Sequence, residues 1–237
     1  MSLKESGKRL VEGAGYEIRR LQTPASHLRP IGRQESVLDD FKARGFMPSV
    51  IFDVGASDGA WTRAVQPIFP SARFVLVEPR DTGFEPTVRA AVGAREGTAT
   101  LTDWDTGSTL LPVNPGGASQ VHVPVTTLDQ LAQQFGVTDF VKLDVEGYEL
   151  EALKGAGTLF GRTTLFVIEV ALYRFEKRPM LHDVVAFMAE REYYVYDVAG
   201  FIRRPYDGAV GLTDLCFARS PLRGPEREWA ARNSAAV

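Results

Sequence analysis

The chain is expected to fold as a doubly wound α/β sheet with mostly parallel strands, and three observations carry that expectation. Short apolar runs recur along it at Val50–Val54, Arg73–Val77, Phe140–Leu143 and Leu165–Ile168. Continuous runs of this kind mark strands buried on both faces, as in a parallel sheet covered by helices. Helical patterns separate most of these runs, which gives the strand–helix alternation of that architecture. Two further β-rich segments, Tyr193–Tyr196 and Leu212–Ala218, read as closing strands.

Residues 1–33 hold two weakly amphipathic pieces around Pro24 and Pro30 and are read as an N-terminal extension, a lid or an oligomer contact. The principal domain is set at 34–220, followed by a polar C-terminal tail at 221–237. A helix is predicted over Gln34–Arg44, where Val37, Leu38 and Phe41 share a face and Gly45 stands at the C-terminal cap. After the Val50–Val54 strand, a helix over Ala60–Gln66 ends before Pro67, which lacks the amide donor a continuing helix needs. Thr127–Phe135 places Leu128, Leu131 and Phe135 on one stripe, and Thr127 with Gln130 makes a capping box. Glu149–Leu159 carries Leu150, Leu153 and Leu159 before a glycine-rich break, and a helix over Met180–Arg191 leads to the closing strands.

At 237 residues the chain suits one large α/β domain with a terminal extension better than two domains. Hydrophobic residues make up 44% and charged residues 24%, which argues against disorder and fibrous repeats. The 27 basic and 30 acidic residues leave a net charge of −3, so no strongly basic nucleic-acid footprint exists. Cys216 is the only cysteine and has no partner for an intrachain disulfide or a Cys/His metal site. Residues 1–20 mix Lys, Glu and Arg without an apolar core, unlike a signal peptide. No apolar run reaches the roughly 20 residues of a membrane span. The expected setting is soluble and cytoplasmic.

Open α/β sheets bind ligands at the carboxyl ends of their strands, near the point where strand order reverses. The first strand ends in Asp53-Val54-Gly55-Ala56-Ser57-Asp58-Gly59. Gly55 and Gly59 allow a tight turn and a close ligand, and the following helix aims its amino end at the same space. Ser57 stands where the dinucleotide pattern G-x-G-x-x-G has its second glycine, so that pattern is absent. Asp53 and Asp58 instead place acids beside the binding space, which repel a pyrophosphate and suit an ammonium and a positive sulfur. Glu78, in Val77-Glu78-Pro79 at the end of the second strand, can accept hydrogen bonds from both ribose hydroxyls. Loop and acid together describe a ligand that carries a nucleoside.

These residues resemble the FkbM family of S-adenosylmethionine-dependent methyltransferases, within the class I, Rossmann-like superfamily. The resemblance rests on VIFDVGASDG (Val50–Gly59), VEP (Val77–Pro79), VPVTTLDQL (Val123–Leu131) and FVKLDVEGYELEALKGA (Phe140–Ala156). Weaker matches are AAVG (Ala90–Gly93), IEV (Ile168–Val170) and DLCF (Asp214–Phe217), so the likeness spans about residues 35–218. It implies a seven-stranded sheet whose last two strands form a hairpin, one of them antiparallel to the rest. It implies S-adenosyl-L-methionine as cofactor, with Asp53, Gly55, Ala56 and Gly59 along its methionine part and Glu78 on its ribose. Ser57, Asp58 and Pro79 complete the cofactor contacts, and Asp144 lies beside the amino group and the acceptor. The implied reaction is O-methylation of a hydroxyl on a small molecule or sugar. The family normally places a helix between the VEP and AAVG blocks, whereas only Arg80–Arg89 lies there in this chain. The wall flanking the adenine is then reduced, or supplied by the extension or by a second subunit of a homo-oligomer. In this fold the acceptor pocket is built from the extension and late loops such as Arg203–Gly211.

Asp144 and Glu146, two apart at a strand end, have the spacing of a metal pair. Spacing identifies no third ligand, so the reading is one cofactor-facing acid, one acid bonded to local backbone, and no metal. Glu169 ends the fourth strand inside apolar sequence. It is either a buried general base with a raised pKa or a structural acid paired with Arg174 or a backbone donor. His182 is a further candidate base, although a histidine at the start of a helix is commonly exposed. Trp61 and Trp104 are candidate pocket walls, with core packing the simpler account of Trp61. Cys216 reads as a small buried residue in a closing strand. Two other functions compete. A nucleic-acid amino methyltransferase grips a flipped base with an acid or Asn, two prolines and an aromatic; Asn114-Pro115-Gly116 lacks the second proline and the aromatic. A cytosine-C5 enzyme needs a cysteine after proline, and Cys216 follows Leu215. A non-catalytic cofactor-binding protein on the same fold is the other alternative.

Overall fold

In a computed structural model, the apolar run Val50–Val54 forms strand β1, with Gln34–Ala43 before it as helix α1. The structure describes residues 32–84, 86–103, 107–112, 116–174 and 178–219. The extension up to residue 31, the tail from 220, Trp104, Asn114 and Pro115 lie outside the described residues. The elements after β1 are α2 (Ala60–Val65), β2 (Arg73–Val77), β3 (Thr87–Val88), β4 (Ala91–Val92), β5 (Gly97–Asp103) and β6 (Ser119–Thr126). Then follow α3 (Leu128–Phe135), β7 (Phe140–Leu143), α4 (Glu149–Lys154), β8 (Leu165–Ala171), α5 (Leu181–Ala189), β9 (Tyr194–Arg203) and β10 (Val210–Ala218).

Seven strands make one sheet in the order β3-β2-β1-β7-β8-β10-β9. The pairs β2–β3, β1–β2, β1–β7 and β7–β8 are parallel, and β10 runs antiparallel to both its neighbours. The doubly wound sheet and its closing hairpin are as expected. Alternation along the central strands shows why their runs are apolar throughout. Ile51, Phe140, Leu165 and Val167 pack on one face with Val37, Leu38 and Phe41 of α1. Phe52, Val141, Phe166 and Ile168 pack on the other with Leu128, Leu153 and Val184 from α3, α4 and α5. Cys216 is buried in β10.

Most local signals hold. Gly45 follows α1 with φ +91°, and its amide donates to Lys42 O. The capping box is half formed: Thr127 Oγ1 accepts from Gln130 N at 3.1 Å, but Gln130 Oε1 accepts from Thr126 Oγ1 instead. The helix expected over Glu149–Leu159 stops at Lys154, and turns carry the chain past Gly155 to Arg162. A second, three-stranded sheet in the order β4-β6-β5 was not anticipated. No helix occupies the described part of Arg80–Arg89; it is a loop with the two-residue β3.

The amino end of the main sheet is tied by side chains. Asp139 Oδ2 accepts from Ser49 N, Ser49 Oγ and Val50 N, and Thr138 Oγ1 bonds the carbonyls of Val50 and Phe140. At the opposite end, β1, β2, β7 and β8 deliver Gly55, Glu78, Asp144 and Glu169 together. The chain winds outward from β1 to β2 and later returns to β7 on the other side, so the order reverses beside β1, where a crevice forms.

Candidate active site

Gly55 turns the chain sharply off β1 with φ +78°. Its amide and that of Ala56 donate to Val77 O, while Asp144 N donates to Val54 O at 3.0 Å. A Cβ at Gly55 would lie 1.7 Å from the Asp144 carbonyl oxygen, so only glycine lets these two loops meet. Asp58 Oδ1 accepts from Ala60 N at 2.9 Å and so satisfies the first amide of α2 from within the chain rather than leaving it for a ligand.

A cavity of about 360 Å³ opens at this end of the sheet. Gly55, Ala56, Ser57, Asp58, Glu78, Pro79, Asp144 and Glu169 all line it, as do Trp61 and Lys142. Asp53 and Gly59 do not line it. Asp53 is fully buried beneath the floor, where its Oδ2 accepts from Thr62 Oγ1 at 2.7 Å, and Gly59 precedes α2 in the left-handed conformation. The wall beside β2 comes from Ala91 and Val92 of β4, Leu101 of β5 and the nearby Leu110. The second sheet thus lends apolar residues to the cavity from the chain that follows the short Arg80–Arg89 segment. Of the late strands and the loop after β9, only Ile202 reaches the cavity, and residues 203–211 are not in its lining.

Glu78 is buried and heavily bonded. Its Oε2 accepts from Ser57 N at 3.0 Å, and its Oε1 from Arg80 N and Nε at 3.2 and 3.0 Å. Lys142 is the residue that sequence reasoning missed. It is paired with Asp53 in the β1–β7 register, and its ammonium lies 3.1 Å from Asp144 Oδ2 and 3.7 Å from Asp53 Oδ1. Trp61 covers the ammonium at 5.9 Å from the ring centroid and donates from its indole to Gln34 Oε1. Trp61 is thus both cavity wall and core residue. Burial pulls the Lys142 pKa down, but Asp144 and Asp53 outweigh it and raise the value above the usual lysine range. For Asp53, burial raises the pKa despite Lys142, which stands closer to Asp144.

Glu146 follows Asp144 with φ +52°, a strained setting for a residue with a side chain. Its carboxylate pairs with Arg178 Nη2 at 2.6 Å rather than with local backbone. Arg178 reaches past Gly147, where a Cβ would lie 2.6 Å from Arg178 Cγ. Glu149 is buried and accepts from the amides of Val145 and Gly147; burial pushes its pKa up to about 7. Glu169 is the third acid that spacing could not find: one oxygen from each of Asp144, Glu146 and Glu169 lies within 4.8 Å of the others. Arg174 does not pair with Glu169. His182 is exposed, lies 3.5 Å from Asp183, and lines no part of the cavity.

A seven-stranded sheet in this order, with its penultimate strand antiparallel, defines the Rossmann-like methyltransferase class of folds. More narrowly, the chain belongs to the FkbM methyltransferase family, whose domain description, Methyltransferase FkbM domain, matches residues 53–196. Among solved structures, it is similar to the methyltransferase FkbM from Methylobacillus flagellatus KT, at 18% identity over 70% of this chain and 43% of that one, with a TM-score of 0.46. This chain thus spans less than half of that protein. It is also similar to a precorrin-6y C5,15-methyltransferase from Geobacter metallireducens GS-15, at 14% identity, 86% and 93% coverage, and TM-score 0.44. A magnesium protoporphyrin IX methyltransferase from Synechocystis PCC 6803, solved with bound SAM, is 17% identical over 79% of this chain and 78% of that one, with a TM-score of 0.44. No curated protein matches the chain. No helix among the described residues is long and apolar enough to cross a membrane.

Proposed function

We propose that this protein transfers a methyl group from S-adenosylmethionine to a hydroxyl on a small molecule or sugar. The observation that carries the reading is a buried carboxylate, Glu78, facing the cavity one strand away from the glycine turn. The cofactor supplies a methyl group on a positively charged sulfur, a good leaving group. Gly55, Ala56 and Ser57 would hold its amino-acid end, Glu78 its ribose, and Asp144 its amino group. Ala91, Val92, Leu101 and Leu110 offer an apolar wall of the kind an adenine ring needs. The chain's remaining tasks are to align the acceptor oxygen, exclude water and take the hydroxyl proton. Glu169, on the far side of Asp144 from Glu78, would serve the last of these. The acids of the lining, Asp58, Glu78, Asp144, Glu146 and Glu169, outnumber Arg80 and Lys142. That balance favours a neutral or cationic acceptor over a phosphate-rich nucleic acid.

Calorimetry should show binding of S-adenosylmethionine by the wild-type protein. Glu78→Ala should weaken it by about 1–3 kcal/mol through loss of hydrogen bonds to a charged group. Undiminished affinity would remove Glu78 from the ribose.

Binding is also expected to need no divalent metal. The grouping of Asp144, Glu146 and Glu169 would suit a cation by spacing, but Lys142 and Arg178 already serve the first two. Affinity measured after exhaustive chelation should equal that in excess magnesium. A marked gain with magnesium would make the three acids a metal site.

A further inference from the structure

Asp144, Glu146 and Glu169 face one cavity from three directions: the end of β7, the loop after it, and β8. Asp144 has the Lys142 ammonium at 3.1 Å, and Glu146 has the Arg178 guanidinium at 2.6 Å. The carboxyl of Glu169 has no hydrogen bond or ion pair of its own among the described residues. Its other neighbours add negative charge. Asp214 stands opposite it in the β8–β10 register, Glu149 comes from α4, and Asp53 shares Lys142 from β1. Carboxylates this close, with fewer cations than acids beside them, do not all ionise; at least one keeps a proton. Burial first, and then Asp144, Glu146, Asp214 and Glu149, push the Glu169 pKa up to about 9. A neutral carboxylic acid cannot accept a proton from a hydroxyl, so Glu169 at neutral pH is in the wrong state for a general base.

We propose that Glu169 carries a proton in the ligand-free protein and gives it up to solvent when a sulfonium cofactor enters the cavity, so that cofactor loading itself creates the base. The O–H bond at Glu169 breaks, its electron pair stays on the carboxylate, and the proton passes to the buffer. The incoming positive charge then balances what the proton had balanced. The inference rests on the cofactor reading above and extends it to an order of events, with the base becoming competent only after the methyl donor is in place. A hydroxyl that enters first meets an acid that cannot take its proton.

The test needs no acceptor. Calorimetric titration at pH 8, repeated in buffers of different ionisation heat, reads the protons released per ligand bound. An opposite charge within reach lowers a carboxyl pKa by roughly 1–3, so S-adenosylmethionine should expel a readily measured fraction of a proton from the wild-type protein. S-adenosylhomocysteine, which lacks the sulfonium charge, should expel clearly less. Glu169→Gln should bind S-adenosylmethionine without release. Difference infrared spectroscopy of the wild-type protein gives a second readout: the protonated-carboxyl band should fade on adding S-adenosylmethionine and persist with S-adenosylhomocysteine. Binding without proton release, or equal release from Glu169→Gln, overturns the inference and leaves the cofactor reading standing. A wild-type protein that binds neither ligand overturns both.

Discussion

Gly55→Ala should lose about 4 kcal/mol or more of stability, at the far end of what single substitutions do. The new methyl group would sit 1.7 Å from Asp144 O and 2.7 Å from its carbonyl carbon. Neither backbone can yield easily, because Asp144 N is bonded to Val54 O and Val54 is in register with Leu143. The positive φ adds a further cost of roughly 1–2 kcal/mol, since Cβ then approaches the following carbonyl. Gly45→Ala is the control: it also has positive φ, but nothing lies within 4 Å of its would-be Cβ. It should cost only about 1 kcal/mol in a denaturant titration. Equal midpoints for the two variants would mean that the loops after β1 and β7 do not meet as described.

Lys142→Met is expected to cost about 3–5 kcal/mol, the usual penalty for removing one partner of a buried ion pair. The methionine fills the same space and keeps contact with Trp61, so packing is not the cause. What is lost is the one cation, among the described residues, paired with both Asp53 and Asp144, and Asp53 Oδ1 already lacks a hydrogen bond in its buried setting. Adding Asp53→Asn removes the charge left stranded and keeps an acceptor for Thr62 Oγ1, so the double variant should recover part of the loss. A single variant as stable as wild type would show that Lys142 is not the counter-ion of this floor.

The sequence was most informative where burial is two-sided. β1, β2 and β7 match their apolar runs residue for residue, because a strand covered on both faces is apolar at most positions and admits a charge only where a partner lies beside it, as Asp53 and Lys142 do. The second sheet escaped notice for the opposite reason. In β5, only Leu101 and Thr102 are buried, and in β6 only Val123, so polar and small residues are mixed among the remaining positions and blur the apolar signal. The alternation Val121, Val123, Val125 was nevertheless a usable clue. Within the cavity lining, Gly55, Glu78 and Asp144 were legible because each directly follows a strand; Glu169 stood out as an acid in apolar sequence, although β8 runs past it to Ala171 rather than ending there. Lys142 carried a signal that went unread: a lone cation inside an apolar run must be paired when the strand is buried. Arg178 had none, since it meets Glu146 from 32 residues away through a loop. His182, in the first turn of α5, is exposed to solvent and does not line the cavity.

The insertion of β1 between a near and a far neighbour also bears on how the chain is made. One edge of β1 pairs with β2 soon after synthesis. The other edge waits for β7, whose tie from Asp139 to Val50 spans 89 residues. At ribosomal speeds of roughly 5–20 residues per second, that wait is about 4–18 s. Throughout it, a strand that is apolar on both faces presents an open row of amides and carbonyls, the kind of edge that other chains can join. The small β4-β6-β5 sheet, made entirely within the interval, can assemble without β7. All the residues of the peripheral sheet are therefore synthesised before β7 is, and slower translation lengthens the time for which the second edge of β1 has no partner strand.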